Sequence, residues 1–433
     1  MNINVFDLQA MSKPEVEKII RRSETDIAAL FETIDPIIKD VREHGDAALL
    51  RYTKEFEGAV IDQADIKVPQ AEIETACRDL DQDIKDTIEY SARNIRKFHQ
   101  AQMPDEMWFT EIMPGILAGE KTTPITSVGL YVPSGKGSFP SVMLMLGTPA
   151  VIAGVSKIIV CTPPRPDGSL DPATLFAADL CGITDIYRIG GAQAIAAMAH
   201  GTETVPKVVK LLGPGSSYVT AAKRKLFGVI DPGTPAGPSE SIILCDHSTD
   251  PEIAALDLLI EAEHGPDSTA LLVTHNHELI ARVKDILSGL VAELPAKRRG
   301  YCETVLSNYG GIVKTASLDE SIRFVNEFAP EHLEVLVEEP MAVMPKIRNA
   351  GEILLGKYSP ITLGNFSLGV NAILPTGGFA KSFSCVTVFD FLKRTSIGYV
   401  SKEAYPEISR VAQRFAEYEG FPAHAAAIRK RGL

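Results

Sequence analysis

No hydrophobic run in this 433-residue chain approaches the ~20 residues that a bilayer-spanning helix needs. The opening stretch, MNINVFDLQAMSKPEVEKII, has no basic segment ahead of an apolar core, so no secretory signal is expected and a soluble, cytoplasmic protein is. Basic residues are in deficit: 43 Lys and Arg face 56 Asp and Glu, a formal net charge of −13. Nucleic acid is therefore not an expected partner, because phosphate binding relies on clustered cations. The six cysteines are far apart with no C-x-x-C pair, which argues against a zinc ribbon, a thioredoxin-like site or a disulfide scaffold. They lie mostly in apolar runs such as KIIVC and SIILC and read as small core residues. Also missing are H-E-x-x-H and a G-x-G-x-x-G after a predicted strand. The nearest approach to a phosphate-binding loop, Gly351–Lys357, is followed by Tyr358 where a Ser or Thr hydroxyl is needed, and the run between its glycines reads as a strand. Internal repeats and low-complexity segments are absent as well.

What is present is ordinary globular composition, 45% hydrophobic and 23% charged, at a length that suggests roughly three domains. The first 120 or so residues read as helical, with amphipathic spacing over Lys13–Ile38 and Gln82–Gln102. From about Ile125 short apolar runs (SVGLYV, KIIVC, DIYRI, KVVKLL) alternate with Ala-rich stretches of helical length, separated by Gly/Pro breaks. The alternation resumes after Pro238 with SIILC, a helix near Asp250–His264, ALLVT, a helix near Glu278–Leu294, GIVKT, LEVLV and EILLG. This pattern predicts an α/β fold with parallel sheets in two halves, joined at Asp231–Glu240. In the tail, KSFSCVTVFDFLK (Lys381–Lys393) reads as a strand and turn, and Ala404–Arg429 as helix interrupted near Gly420 and Pro422.

Several groups carry potential chemistry. Three Gly-rich turns follow apolar strands: Tyr131–Gly137, Gly190–Gln193 and Gly213–Tyr218. Ligands bind at strand C-termini in open α/β sheets, so these turns read either as plain connections or as a nucleotide site. Glu261 and His264 stand three apart on a helix that ends at Gly265-Pro266, one face presenting a carboxylate and an imidazole able to hold Zn²⁺. Such pairs also occur on solvated helices. Glu331-His332 precede LEVLV; adjacent residues of extended chain point to opposite sides, but a loop at the strand's start can aim both into one cleft as acid and base. Gly364-Asn365-Phe366, the segment Asn371–Thr376 and the tail pair Glu419/His424 complete the set.

In this order GLYVPSG, GGAQAIAAMAHGTETVPKV, GPGSSYVT, PAGPSES, EAEHGPDS, FAPEHLE, LPTGG and a terminal E-x-x-x-x-H resemble the histidinol dehydrogenase family from about residue 20 to the C-terminus. The resemblance implies a Zn²⁺-dependent, NAD⁺-linked enzyme that oxidises a primary alcohol through a bound aldehyde to a carboxylate, using two NAD⁺. It implies two Rossmann-like parallel-sheet domains with a helical N-terminal arm and a small helical tail. The expected division is an arm over 1–24, a first α/β domain over 25–125 plus 240–380, a cofactor domain over 126–239 and a tail over 381–433. It further implies a homodimer in which one subunit's tail completes the other's site. Carried over, it assigns cofactor contacts to Tyr131, Gln193 and Ser216, metal ligation to Glu261, His264, Asn365 and His424, and catalysis to Glu331 and His332. Ser239 and, from the partner subunit, Glu419 are assigned to the substrate.

Four positions depart from the family pattern. Ser216 stands for the usual Asn, Glu261 for Gln, Asn365 for Asp and Ala372 for His. The Glu261 and Asn365 changes exchange amide and carboxylate, so the formal ligand charge is unchanged. Together with the lost imidazole at 372 they point away from L-histidinol toward another small alcohol; one branch of the family handles sulfopropanediol. Authentic L-histidinol dehydrogenase, simple two-electron oxidation and a non-catalytic binding paralogue are the alternatives.

Overall fold

A computed structural model describes residues 3–21, 27–134 and 137–431, arranged as two compact units: Met1–Gln102 with Thr126–Phe391, and Met103–Ile125 with Leu392–Leu433. Residues 1–2 and 22–24 of the expected arm, and Gly135-Lys136 of the first Gly-rich turn, lie outside the described residues.

The first unit holds two parallel sheets. Strands β1 (Val5–Asp7), β8 (Glu240–Cys245), β9 (Thr269–Thr274), β10 (Gly311–Lys314), β11 (His332–Leu336) and β12 (Glu352–Leu355) form the larger, in the order β1-β10-β9-β8-β11-β12. Alternate residues feed opposite faces, as the two-residue period of a strand requires. Ile243, Leu272 and Ile312 pack on one side; Ile242, Leu244, Leu271, Val273, Leu333 and Val335 pack on the other. Burial on both faces explains the unbroken apolar runs SIILC and ALLVT. Strands β4 (Ser127–Tyr131), β5 (Lys157–Thr162), β6 (Ile186–Arg188) and β7 (Lys210–Leu212) form the smaller sheet, ordered β6-β5-β4-β7. Its order reverses between β4 and β7, the switch point at which a crevice opens beyond the strand C-termini. The α/β class and both parallel sheets are as expected.

The helix Phe31–Tyr52, assigned from sequence to the same domain as residues 240–380, packs on the smaller sheet: Ile34, Ile37, Val41 and Leu49 share a core with Ile159, Ile195 and Leu211. The leading residues are not all helical either. β1 adds to the edge of the larger sheet beside β10, where three residues are too few to show a pattern.

In the second unit β2 (Met107–Met113) and β3 (Ile116–Pro124) make an antiparallel hairpin whose turn includes Gly115 at φ 79°, and β13 (Leu392–Val400) pairs along β3. The hairpin was hidden because six of the seven β2 residues are exposed, so no buried alternation marks it. The tail is therefore strand plus helices, Tyr405–Tyr418 and Pro422–Arg429. Lys381–Lys393 contributes no strand until Leu392. Thr387 N donates to the Asp390 carboxylate and Phe389 N to the Thr387 hydroxyl, and such local bonds compete with strand pairing.

Candidate active site

The smaller sheet brings Tyr131 and Gln193 together. Tyr131 ends β4, and its hydroxyl oxygen accepts a hydrogen bond from Gly191 N at 3.1 Å. Gly191 opens the helix Gly191–His200, two residues ahead of Gln193, which is fully buried with its Oε1 unpartnered. Across the switch point Gly213, at φ 131°, follows β7; a Cβ there would collide with the Tyr131 carbonyl, so the close approach demands glycine. Ser216 then caps the helix Ser217–Lys225, its hydroxyl accepting from Val219 N at 3.5 Å. Two helix N-termini and an unsatisfied buried amide oxygen at a switch point fit a dinucleotide. Lys223, fully buried, donates to the carbonyls of Gly213 (3.2 Å) and Thr234 (3.1 Å); burial, which the Asp231 charge only partly offsets, pulls its amine down to about 8.

The second cluster lies at the opposite kind of edge. Glu240, His332 and Glu352 each begin a strand of the larger sheet, with His332 in register between Ser241 and Glu352. The helix after β8, Pro251–Ala262, runs back and delivers Glu261 and His264 to this N-terminal rim. Strand C-termini are the usual ligand edge, so a site here had to be read from side chains.

Glu261 is 1% exposed and is the hub. Its Oε2 lies 3.1 Å from His264 Nδ1, its Oε1 accepts from Asn365 Nδ2 at 3.2 Å, and the same Oε1 is 3.9 Å from His332 Nε2. His264 Nδ1 also lies 3.0 Å from the Ile260 carbonyl, a contact that favours the Nδ1–H tautomer, in which Nε2 carries the lone pair. His332 Nδ1 lies 2.6 Å from Glu352 Oε1, and its Nε2 is 3.9 Å from Glu331 Oε1. Adjacent in sequence, Glu331 and His332 do face one another. Burial opposes charging of His332, but Glu261, Glu331 and Glu352 outweigh it and raise the imidazole to about 10. Glu331, which accepts from Glu240 N at 2.9 Å, is pushed well above the carboxylate range, first by burial and then by the Glu261 and Glu240 charges.

Three of the four expected metal positions thus meet: Glu261, His264 and Asn365. Among the described residues no group of three His, Cys, Asp or Glu side chains forms a metal site by itself, consistent with a set in which one donor is an amide. The donor chemistry fits a cation: one buried carboxylate whose basic neighbours are imidazoles, plus an imidazole and an amide. The two departures, Glu261 and Asn365, are hydrogen-bonded to each other, so the exchange of amide and carboxylate occurs within one touching pair. Ser239 is half-buried beside Glu240, its carbonyl accepting from Thr269 N. His424 and Glu419 belong to the second unit, both exposed; His424 lies against the Phe421 ring, centroids 5.2 Å apart.

Sequence reasoning missed Glu352, Glu240, Glu57 and Lys223. Glu352 sits inside the discarded Gly351–Lys357 run and Glu240 in the presumed joint; neither spacing carries a signal. Asn371 proves architectural, its amide donating to the Met145 carbonyl at 2.7 Å.

The structure is thus a parallel-sheet scaffold with a switch-point crevice on one sheet and a buried His–carboxylate cluster at the rim of the other. A family profile described as histidinol dehydrogenase matches residues 20–432. The chain is 48% identical over 427 residues to a protein named histidinol dehydrogenase from Synechocystis sp., covering 99% of this chain and 98% of that one. It is 50% identical over 412 residues to a histidinol dehydrogenase homolog from Cereibacter sphaeroides, covering 95% and 93%. The solved histidinol dehydrogenase from Elizabethkingia anophelis superposes with a TM-score of 0.92 at 33% identity, covering 99% and 98%. The chain belongs to the histidinol dehydrogenase family.

Proposed function

We propose that this protein is a zinc-dependent, NAD-linked dehydrogenase that oxidises a small primary alcohol through a bound aldehyde to a carboxylate, and that its substrate is an alcohol other than L-histidinol. The meeting of His264, Asn365 and His332 on Glu261, with Glu331 beside His332, carries the reading. Glu261, His264 and Asn365, with His424, would hold zinc, which supplies Lewis acidity at the substrate hydroxyl and offsets the Glu261 charge. With the Glu261 charge so offset, the largest influence raising the imidazole is relieved and His332 Nε2 can take the hydroxyl proton, a role typically worth ~10²–10⁴-fold, while Glu352 fixes the ring through Nδ1. Tyr131, Gln193 and Ser216 would hold NAD⁺, which would accept the hydride released in each of the two oxidations. Glu331 then takes a proton from the water that adds to the aldehyde, giving the hydrate from which a second NAD⁺ would accept the second hydride. Burial of Glu331 and His332 keeps bulk water from the intermediate.

A substrate other than L-histidinol is supported by the Glu261, Asn365 and Ala372 departures. The name of the Synechocystis relative favours L-histidinol as the second reading. We also read the chain as a homodimer whose tail supplies Glu419 and His424 to the partner; in the single chain Val411, Phe415 and Tyr418 of the helix Tyr405–Tyr418 are exposed. The test is NADH counted per molecule consumed across L-histidinol, amino alcohols, polyols and sulfonated diols, with zinc content measured alongside. Two NADH from a non-histidinol alcohol is the expected result. One NADH rejects the four-electron chemistry, turnover of L-histidinol alone rejects the substrate reading, and a metal-free active enzyme rejects the zinc. Mixing His424→Ala with Glu331→Gln should restore activity that neither variant has, if tails are shared.

A further inference from the structure

Glu57 ends the π-helical turn Thr53–Glu57, remote in sequence from every motif of the cofactor crevice, yet its Oε1 accepts from Gln193 Nε2 at 3.4 Å. A Cβ on Gly190 would collide with Glu57, and one on Gly191 with Gln193 Oε1, so both side chains press on the glycine pair that opens the helix Gly191–His200. Two acceptors there have no hydrogen-bond partner, Glu57 Oε2 and Gln193 Oε1, both buried. Among the described residues no lysine or arginine forms an ion pair with Glu57. Burial, only partly offset by hydrogen bonds that include the Gln193 amide, raises its carboxyl to about 7, as expected of a group awaiting donors.

Paired acceptors beside a glycine turn at a helix N-terminus match a ligand that presents two adjacent donors. Resting on the NAD reading above, we infer that Glu57, with Gln193 Oε1, receives the vicinal ribose hydroxyls of the adenosine half of the cofactor and so selects NAD⁺ over NADP⁺. A 2′-phosphate would both remove a donor and set its charge against the carboxylate.

The test is calorimetric titration of the zinc-loaded protein with NAD⁺, NADP⁺ and ADP-ribose, without substrate, for wild type, Glu57→Gln and Glu57→Asp, with thermal melts confirming each fold. Glu57→Gln should weaken NAD⁺ and ADP-ribose in step by about tenfold, the scale of a hydrogen bond to a charged group, and shrink the preference over NADP⁺ at least as much. Glu57→Asp, which keeps the charge but shortens the reach, should weaken NAD⁺ while still excluding NADP⁺. NAD⁺ affinity unchanged in Glu57→Gln overturns the inference alone. Loss confined to NAD⁺ with ADP-ribose unaffected moves the contact to the nicotinamide half and overturns the ribose assignment. A wild type that binds no dinucleotide overturns the NAD reading itself.

Discussion

Glu352 Oε1 lies 2.6 Å from Nδ1 of His332, and both residues are buried at paired positions of adjacent parallel strands. The contact assigns the Nδ1 proton and turns Nε2 toward Glu261 and Glu331. Glu352→Gln keeps the volume but cannot act as an anionic acceptor, so the imidazole loses its orientation and part of its basicity. Turnover should fall about 10–100-fold, with the melting temperature little changed, since the amide still fills the site. Steady-state kinetics and a melt on the same preparation check this; unchanged kcat would make Glu352 merely structural.

Glu261 and Asn365 form a touching pair, and this makes their individual substitutions informative. Glu261→Gln leaves two neutral amides where one anionic and one neutral oxygen stood. Asn365→Asp sets two carboxylates against each other. The double variant restores one of each with the chemistry exchanged. Zinc content should therefore fall in Glu261→Gln and recover in the double variant, by about tenfold or more in affinity. Strictly additive losses would show that the two positions do not share a metal.

The sheets were legible because β4, β8 and β9 are buried along their whole length and carry the apolar runs VGLY, IILC and ALLV. β2, whose positions are nearly all exposed, and β1, of three residues, offered no such contrast. In the site, Glu261/His264 and Glu331/His332 could be found as local pairs. Glu352 and Glu57 could not, because each acts on a residue at least 20 positions away and only the folded chain joins them. The strand C-terminus rule pointed to the switch-point crevice of the smaller sheet, but it was silent on the cluster at the N-terminal rim of the larger sheet.

Part of the long motif around Gly190–Val208 is architectural. Asp46, 1% exposed, accepts from the Thr202 and Thr204 hydroxyls, from Thr204 N and from Gln63 Nε2. Glu203 in turn accepts from Asp46 N, beside Gly45, where the helix Phe31–Tyr52 breaks at φ 49°. Asp46→Ala strands these donors and should cost about 2–4 kcal/mol of stability. Burial opposes ionisation of Asp46, but these donors hold its carboxyl below 3.8, so its contribution is present at neutral pH and lost as pH falls through that lowered value. Denaturant melts at pH 7 and pH 3 check both statements: the gap between wild type and variant should narrow in acid.

Beneath the His332 rim, Glu334 and Asp257 form a buried carboxyl pair, Glu334 fully inaccessible on β11 and Asp257 one turn ahead of Glu261. Burial first, then the Asp257 charge, raises Glu334 to about 9, and Asp257 is raised as well, so the pair favours retaining a proton. The unfolded chain gives that proton up near pH 4–5. Between that range and about pH 9 the native state therefore binds more protons than the unfolded one, and stability declines as pH rises. Glu334→Gln removes the proton demand while keeping a donor for Asp257. The variant should match wild type or fall slightly below it at pH 5 and exceed it by about 1–3 kcal/mol at pH 8. A gap that stays constant between the two pH values, measured by urea unfolding, would show that Glu334 ionises freely despite its burial.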